Sequence, residues 1–177
     1  MEEKLPKRKA VRWENYDYST EGRYFITICT EGRKQILSQI VGGDVLDAPK
    51  TIELFSAGKI VEKYLNQLND FYSNIEIDQY VIMPNHIHMI LFVFGGGPSR
   101  TSAPTKQHSV LSQFVSTLKR FCNKEHGENL FQRSFFDRVI RNREEYENVK
   151  KYIFFNPDKW EEDDLYFWTQ WIPKIKN

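Results

Sequence analysis

Two apolar runs that meet at a proline constrain this chain most. Residues 75–83 and 86–94 are each of strand length and rich in β-branched and aromatic side chains, and Pro84-Asn85 between them is turn chemistry. The combination predicts an antiparallel hairpin. Side chains alternate along a strand, so His86 and His88 share one face of the second run while Ile87, Met89, Leu91 and Val93 line the other. Two neutral imidazoles so placed can grip a divalent metal if a neighbouring element supplies one or two more ligands. Taken alone, a His-x-His pair on a strand is more often structural or incidental than a site.

The remaining segments fall around this hairpin. Tyr24-Phe25-Ile26-Thr27-Ile28-Cys29-Thr30 reads as a strand ending near Gly32, and Gly42, Gly43 and Pro49 mark a loop. From residue 52 to about 71, Leu54, Ile60, Val61, Tyr64, Leu65 and Leu68 recur at helical spacing despite Gly58. Val110, Leu111, Phe114, Val115, Leu118 and Phe121 specify a second amphipathic helix, residues 134–140 a fourth strand, and residues 144–155 a third helix that Pro157 stops. Strand, helix, strand, strand, helix, strand is the order of a ferredoxin-like βαββαβ fold. The expectation is therefore α+β: an antiparallel sheet with helices on one face, plus a C-terminal helix bearing Tyr152. The whole chain, residues 1–177, reads as one domain. Its basic arm covers residues 1–20, a Gly-, Pro-, Ser- and Thr-rich loop expected to be mobile covers 95–107, and a tail covers 158–177.

The 25 basic and 24 acidic residues nearly cancel, so only the distribution of charge can point to a nucleic acid. Between Gly95 and Lys124 lie Arg100, Lys106, Lys119, Arg120 and Lys124 with no acidic residue, a basic strip expected beside the histidine site. A solvated helix face accounts for it equally well. The isolated Cys29 and Cys122 give neither zinc-ribbon nor disulfide spacing, which favours a reducing cytoplasm. No apolar run approaches the ~20 residues of a membrane span, so no membrane association is expected.

Tyr152 and Asn156 are four residues apart on the third helix and share a face, where both can address one ion. A phenol is a poor nucleophile at neutral pH, but a metal favours its ionised form and polarises a phosphodiester for attack. Tyr152 is also one of nine tyrosines, and helical spacing alone does not distinguish it from a core aromatic. Tyr146 falls on a different face and fits as a packing partner of Val149 and Ile153. His108 and His126 lie outside these motifs. Glu161, Glu162, Asp163 and Asp164 form a contiguous acidic run, expected to be solvated surface. Trp160, Trp168 and Trp171 are expected to dock the tail on the core.

The Tyr24–Thr30 strand, the Met83-Pro84-Asn85-His86-Ile87-His88 hairpin and the run Gln132-Arg133-Ser134-Phe135-Phe136-Asp137-Arg138-Val139-Ile140-Arg141-Asn142 together resemble the HUH single-tyrosine transposases. More narrowly, Tyr152-Ile153-Phe154-Phe155-Asn156-Pro157 resembles the nucleophile segment of the REP-associated tyrosine transposases, and the match runs in order from about Tyr24 to Lys159. The resemblance implies that His86 and His88 are metal ligands and that Asn156 completes a Mg²⁺ or Mn²⁺ site. It implies that Tyr152 attacks single-stranded DNA to give a 5′-phosphotyrosine link. The implied partners are single-stranded DNA and REP-like hairpins, bound by a monomer or homodimer. A non-catalytic DNA-hairpin binding protein, and a replication-initiator or relaxase-like nuclease, are the other readings. The short connection between Ile140 and Glu144 favours a tyrosine helix that serves its own chain's site.

Overall fold

The structure is a computed structural model, and it describes residues 20–42, 50–94, 109–163 and 165. Its elements are β1 (Gly22–Cys29), β2 (Ser38–Val41), β3 (Thr51–Leu54), α1 (Ser56–Phe71), β4 (Ile75–Ile82), β5 (His86–Val93), α2 (Val110–His126), β6 (Phe136–Ile140) and α3 (Arg143–Phe155). The main sheet has the order β4-β5-β1-β6, with every neighbouring pair antiparallel. Reading β1, α1, β4, β5, α2 and β6 in turn recovers the expected βαββαβ fold. The β1–α1–β4 unit is split by β5, as that topology requires.

The sheet is covered on both faces. Tyr24, Ile26 and Ile28 of β1 and Ile87, Met89, Leu91 and Val93 of β5 pack with Val61 and Leu65 of α1 and Phe114 and Leu118 of α2. On the opposite face Val81, Met83 and Ile90 meet Ile153 of α3 and Trp160, with Tyr146 and Val149 packed against them as their spacing suggested. β5 is thus central and buried on both sides. His86 and His88 lie under α3, at 0% and 3% exposure, and are not partly exposed strand residues.

One element boundary differs from the sequence reading. Residues 51–54 are not the first turn of α1 but the strand β3, paired with β2 from Ser38↔Leu54 to Val41↔Thr51. Thr51 and Ile52 are β-branched and favour a pleated strand, and Leu54 happens to match both periods. The inserted ribbon seats α1. A Cβ on Gly58 would lie 2.1 Å from the Leu37 carbonyl oxygen, so the helix approaches that backbone as only glycine permits.

Candidate metal and nucleophile site

The site begins with the turn that the sequence placed before the histidines. Met83 N–H donates to the His86 carbonyl at 2.9 Å across Pro84-Asn85, closing the hairpin. The turn is held from outside as well. Thr30 N–H donates to Asn85 O at 2.9 Å, Leu37 N–H to Pro84 O at 3.0 Å, and the Ser38 hydroxyl to Ile82 O at 2.9 Å. The first imidazole therefore rises from a clamped backbone.

Neighbouring side chains fix both rings. Asn85 Nδ2 donates to Leu165 O at 2.7 Å, which turns its Oδ1 toward His86 Nδ1 at 2.8 Å. An amide oxygen only accepts, so Nδ1 carries the proton and Nε2 presents its lone pair. His88 Nδ1 lies 2.8 Å from the Thr27 hydroxyl, and the ring packs against Phe25 at 5.0 Å between centroids. Holding one ring nitrogen and freeing the other is how proteins orient imidazole ligands. The two rings stand 4.3 Å apart, and Trp160 covers His86 at 5.9 Å.

Electrostatics keep these rings neutral. Burial pulls His86 down to about 3, the nearby Arg33 guanidinium pulls in the same direction, and Asn156 partly opposes them. His88 is also held well below the usual range, first by burial and then by His86, with Asp163 opposing. Arg33 sits in left-handed backbone at φ 56°, uncommon for a residue with a Cβ. Neutral imidazole is the form that binds metals.

α3 brings the other groups. It starts at a reciprocal cap in which Asn142 Oδ1 accepts from Glu145 N–H at 2.8 Å and Glu145 Oε2 accepts from Arg141 N–H at 2.9 Å. It ends at Asn156. The Tyr152 hydroxyl lies 3.2 Å from His88 Nε2 and 3.3 Å from Asp163 Oδ2, within one chain. Asn156 Nδ2 donates to Asp163 Oδ2 at 2.8 Å, and Asp163 Oδ1 accepts from Leu165 N–H at 2.7 Å.

Asp163 is the residue that sequence reasoning missed. It was grouped with its acidic neighbours as solvated surface, but it is 9% exposed, and its carboxylate and both imidazoles present ligand atoms within 4.8 Å of one another. Glu161 and Glu162 are exposed as expected. A single 3-10 turn, Trp160–Glu162, separates their behaviour: it buries Trp160 and aims Asp163 back at the helix. An acidic run has no period, so only that turn could have singled out its third member.

These residues fit a divalent cation. His86 Nε2 and Asn156 Oδ1 are both buried with no hydrogen-bond partner, a costly condition that a bound ion relieves. The donor set is two imidazole nitrogens, an amide oxygen and a carboxylate. α3 adds the negative end of its dipole and carries no basic side chain in its last turn.

The described part of the basic strip lies elsewhere. α2, which carries Lys119, Arg120 and Lys124, packs on the sheet face opposite the histidines, across the sheet from the site and not beside it as the sequence reading had it. Lys119 Nζ donates to the carbonyls of Gln132 at 2.8 Å and Ser134 at 2.9 Å, and burial lowers its pKa to about 8. That is an anchor for the segment leading into β6. Arg120 and Lys124 are exposed, whereas Arg100, Lys106, His108, Trp168 and Trp171, with the loop 95–107, lie outside the described residues. No described helix is long and apolar enough to cross a membrane.

A four-stranded antiparallel sheet with paired histidines on its central strand and a tyrosine helix across that face defines the class of fold. A solved structure of the REP-associated tyrosine transposase bound to a REP hairpin is similar in overall fold, with a TM-score of 0.59 at 20% identity over 84% of this chain and 73% of that one. The fold expected from the sequence resemblance is the fold found. A Deinococcus radiodurans R1 structure covers 81% of this chain and 95% of its own, but its TM-score of 0.40 is too low to bear on function. An uncharacterised Haemophilus influenzae protein is 27% identical over 174 residues, 90% of this chain and 93% of its own. No family model matches the sequence.

Proposed function

We propose that this chain is a metal-dependent single-tyrosine transposase of the REP-associated branch, cleaving and rejoining single-stranded DNA beside hairpins through a 5′-phosphotyrosine intermediate. The observation that carries the reading is Tyr152: its hydroxyl touches His88 Nε2 at 3.2 Å, next to two buried ligand atoms that no protein group satisfies. His86, His88 and Asn156 hold the ion, and the Asp163 carboxylate joins them. Mg²⁺ or Mn²⁺ suits the oxygen donors, and the imidazoles favour Mn²⁺ of the two. When bound, the ion supplies Lewis-acid polarisation of the scissile phosphate.

The residues of the chain do the rest. Phe25, in edge contact with the Tyr152 ring at 6.0 Å, and the packed α3 backbone keep the phenol facing the site. Attack forms the Tyr152 Oη–phosphorus bond and breaks the phosphorus–O3′ bond. The phenolic proton passes to Asp163 Oδ2, 3.3 Å away, and the departing O3′ takes a proton from solvent water to leave as a free 3′-OH. A 3′-OH attacking the phosphotyrosine reverses the step and rejoins the strands. No nucleotide cofactor is needed, because the covalent link conserves the bond energy.

The test is a covalent adduct. Purified protein incubated with labelled single-stranded hairpin DNA and Mn²⁺ is expected to give a denaturation-resistant protein–DNA band that Tyr152→Phe abolishes. A band retained in Tyr152→Phe sinks the nucleophile assignment. No band from either protein, with hairpin binding intact and independent of metal, leaves the non-catalytic hairpin-binding reading instead.

A further inference from the structure

α3 carries a second stripe beside its inner packing. Asn148, Tyr152, Phe155 and Lys159 follow one another at four-, three- and four-residue spacing, and Lys151 falls three residues after Asn148 and four before Phe155, so the five share one side of the helix and its extension. The Lys159 N–H continues the helical bonding to the Phe155 carbonyl at 3.2 Å, which keeps the last member in line. Together with Asn156, Glu162 and Asp163 they line a cleft of about 350 Å³, so the candidate nucleophile opens directly into it.

The apolar part of this stripe is exposed. Phe155 is 46% and Phe154 68% exposed, although both sit on a helix whose inward positions, Val149 and Ile153, are packed. Their rings meet edge to face at 4.9 Å, which leaves the Phe155 ring as an exposed aromatic platform. Lys151 and Lys159 flank that platform inside the cleft, and both are exposed. An aromatic face between two ammonium groups is complementary to a nucleotide: a flat base to stack, and a phosphate on either side.

We infer that this cleft is a nucleotide subsite, in which an unpaired base next to the scissile phosphate stacks on Phe155 while Lys151 and Lys159 hold the adjoining phosphates. The inference rests on the single-stranded DNA reading above and deepens it, because it says what positions the strand at Tyr152. Stacking is tolerant of base identity, so the subsite orders the strand more than it selects a sequence.

Binding without chemistry tests it. Fluorescein-labelled oligo-dT of about twelve nucleotides, within the length such sites span, and an abasic strand of equal length are titrated by anisotropy in EDTA. The full-length protein is compared with Phe155→Ala, Phe155→Trp and Lys151→Ala. Phe155→Ala is expected to weaken oligo-dT binding roughly tenfold, to leave abasic binding unchanged, and to be rescued by Phe155→Trp. Lys151→Ala is expected to lower the salt slope by roughly 0.7 on both strands. Oligo-dT affinity unmoved by Phe155→Ala, or lowered equally on the abasic strand, overturns the subsite and leaves the aromatic pair as a surface for another protein. If the unaltered protein binds neither strand, the subsite falls, whereas the single-stranded DNA reading falls only if the hairpin substrate also fails to bind.

Discussion

At the scale of single residues, His86 shows how burial sets chemistry. Its Nδ1 is committed to Asn85 and its Nε2 has no partner, in a position with no exposure. The ring is neutral in the fold because water does not reach it to stabilise a charge. The consequence is a pH dependence of definite sign. In the unfolded chain His86 takes up a proton as the pH drops through about 6.5, whereas in the fold it resists until about 3. The contribution to stability is thus complete above about 6.5 and is lost as the pH falls through that window, at about 1.4 kcal/mol per unit. Between pH 7 and 5 the metal-free protein should lose about 2 kcal/mol from His86, and His88 adds in the same direction. Urea unfolding in EDTA at pH 7, 6 and 5 measures this, and a flat profile would show that the imidazoles are charged or solvated. Within the candidate site, the strand period put His86 and His88 on one face and the helix period did the same for Tyr152 and Asn156, whereas the roles expected of them came from the family resemblance alone. Asp163 was not legible, because it depends on how a 3-10 turn points.

Among the elements, α1 and the inserted ribbon do more than cover the sheet. The Leu37 carbonyl accepts from Phe55 N–H at 2.9 Å, and the Leu37 N–H donates to the Pro84 carbonyl at 3.0 Å, so one residue ties the start of α1 to the histidine turn. Gly58 is what lets α1 come that close. In an exposed helix interior, Gly→Ala stabilises by up to about 1 kcal/mol. Here the sign reverses, because the new methyl meets backbone, which cannot rotate away as a side-chain tip can. Gly58→Ala is expected to destabilise by roughly 1–3 kcal/mol, the usual cost of overpacking, and to loosen the hairpin turn with it. Chemical denaturation gives the first effect and hydrogen exchange at the Leu37 amide the second. An alanine variant as stable as the parent would mean that α1 stands further off. The first two helices were legible because their apolar positions recur over several turns, and the main strands because runs rich in β-branched and aromatic residues are bounded by turn chemistry. The β2–β3 ribbon was not, since four-residue strands are too short to separate from a helix start, and Leu54 satisfied both patterns.

For the molecule as a whole, the site is a junction between parts that otherwise touch lightly. β5 supplies the imidazoles from the centre of the sheet, the end of α3 supplies Asn156, and the 3-10 turn beyond it supplies Asp163. α3 packs on its face through a small cluster, Val81, Met83, Ile90, Ile140, Ile153 and Trp160, whereas α1 and α2 share the large core. The tyrosine helix is therefore the less firmly held layer, and a cation shared by strand, helix and turn would clamp it. Ligands that meet only in the fold bind the folded state alone, so the ion's affinity appears as stability. At a metal concentration about a hundredfold above the dissociation constant, the gain is about 2.7 kcal/mol. For a chain of this size that raises the midpoint by roughly 5–10 °C. Thermal unfolding with EDTA, Mg²⁺ and Mn²⁺ should show an upward shift, larger for Mn²⁺ at equal concentration. His86→Ala should remove the shift, because it deletes one of the unsatisfied ligand atoms. If the midpoint of the unaltered protein stays put up to millimolar Mn²⁺, the buried lone pairs of His86 and Asn156 do not serve a metal, and the proposed chemistry loses its Lewis acid.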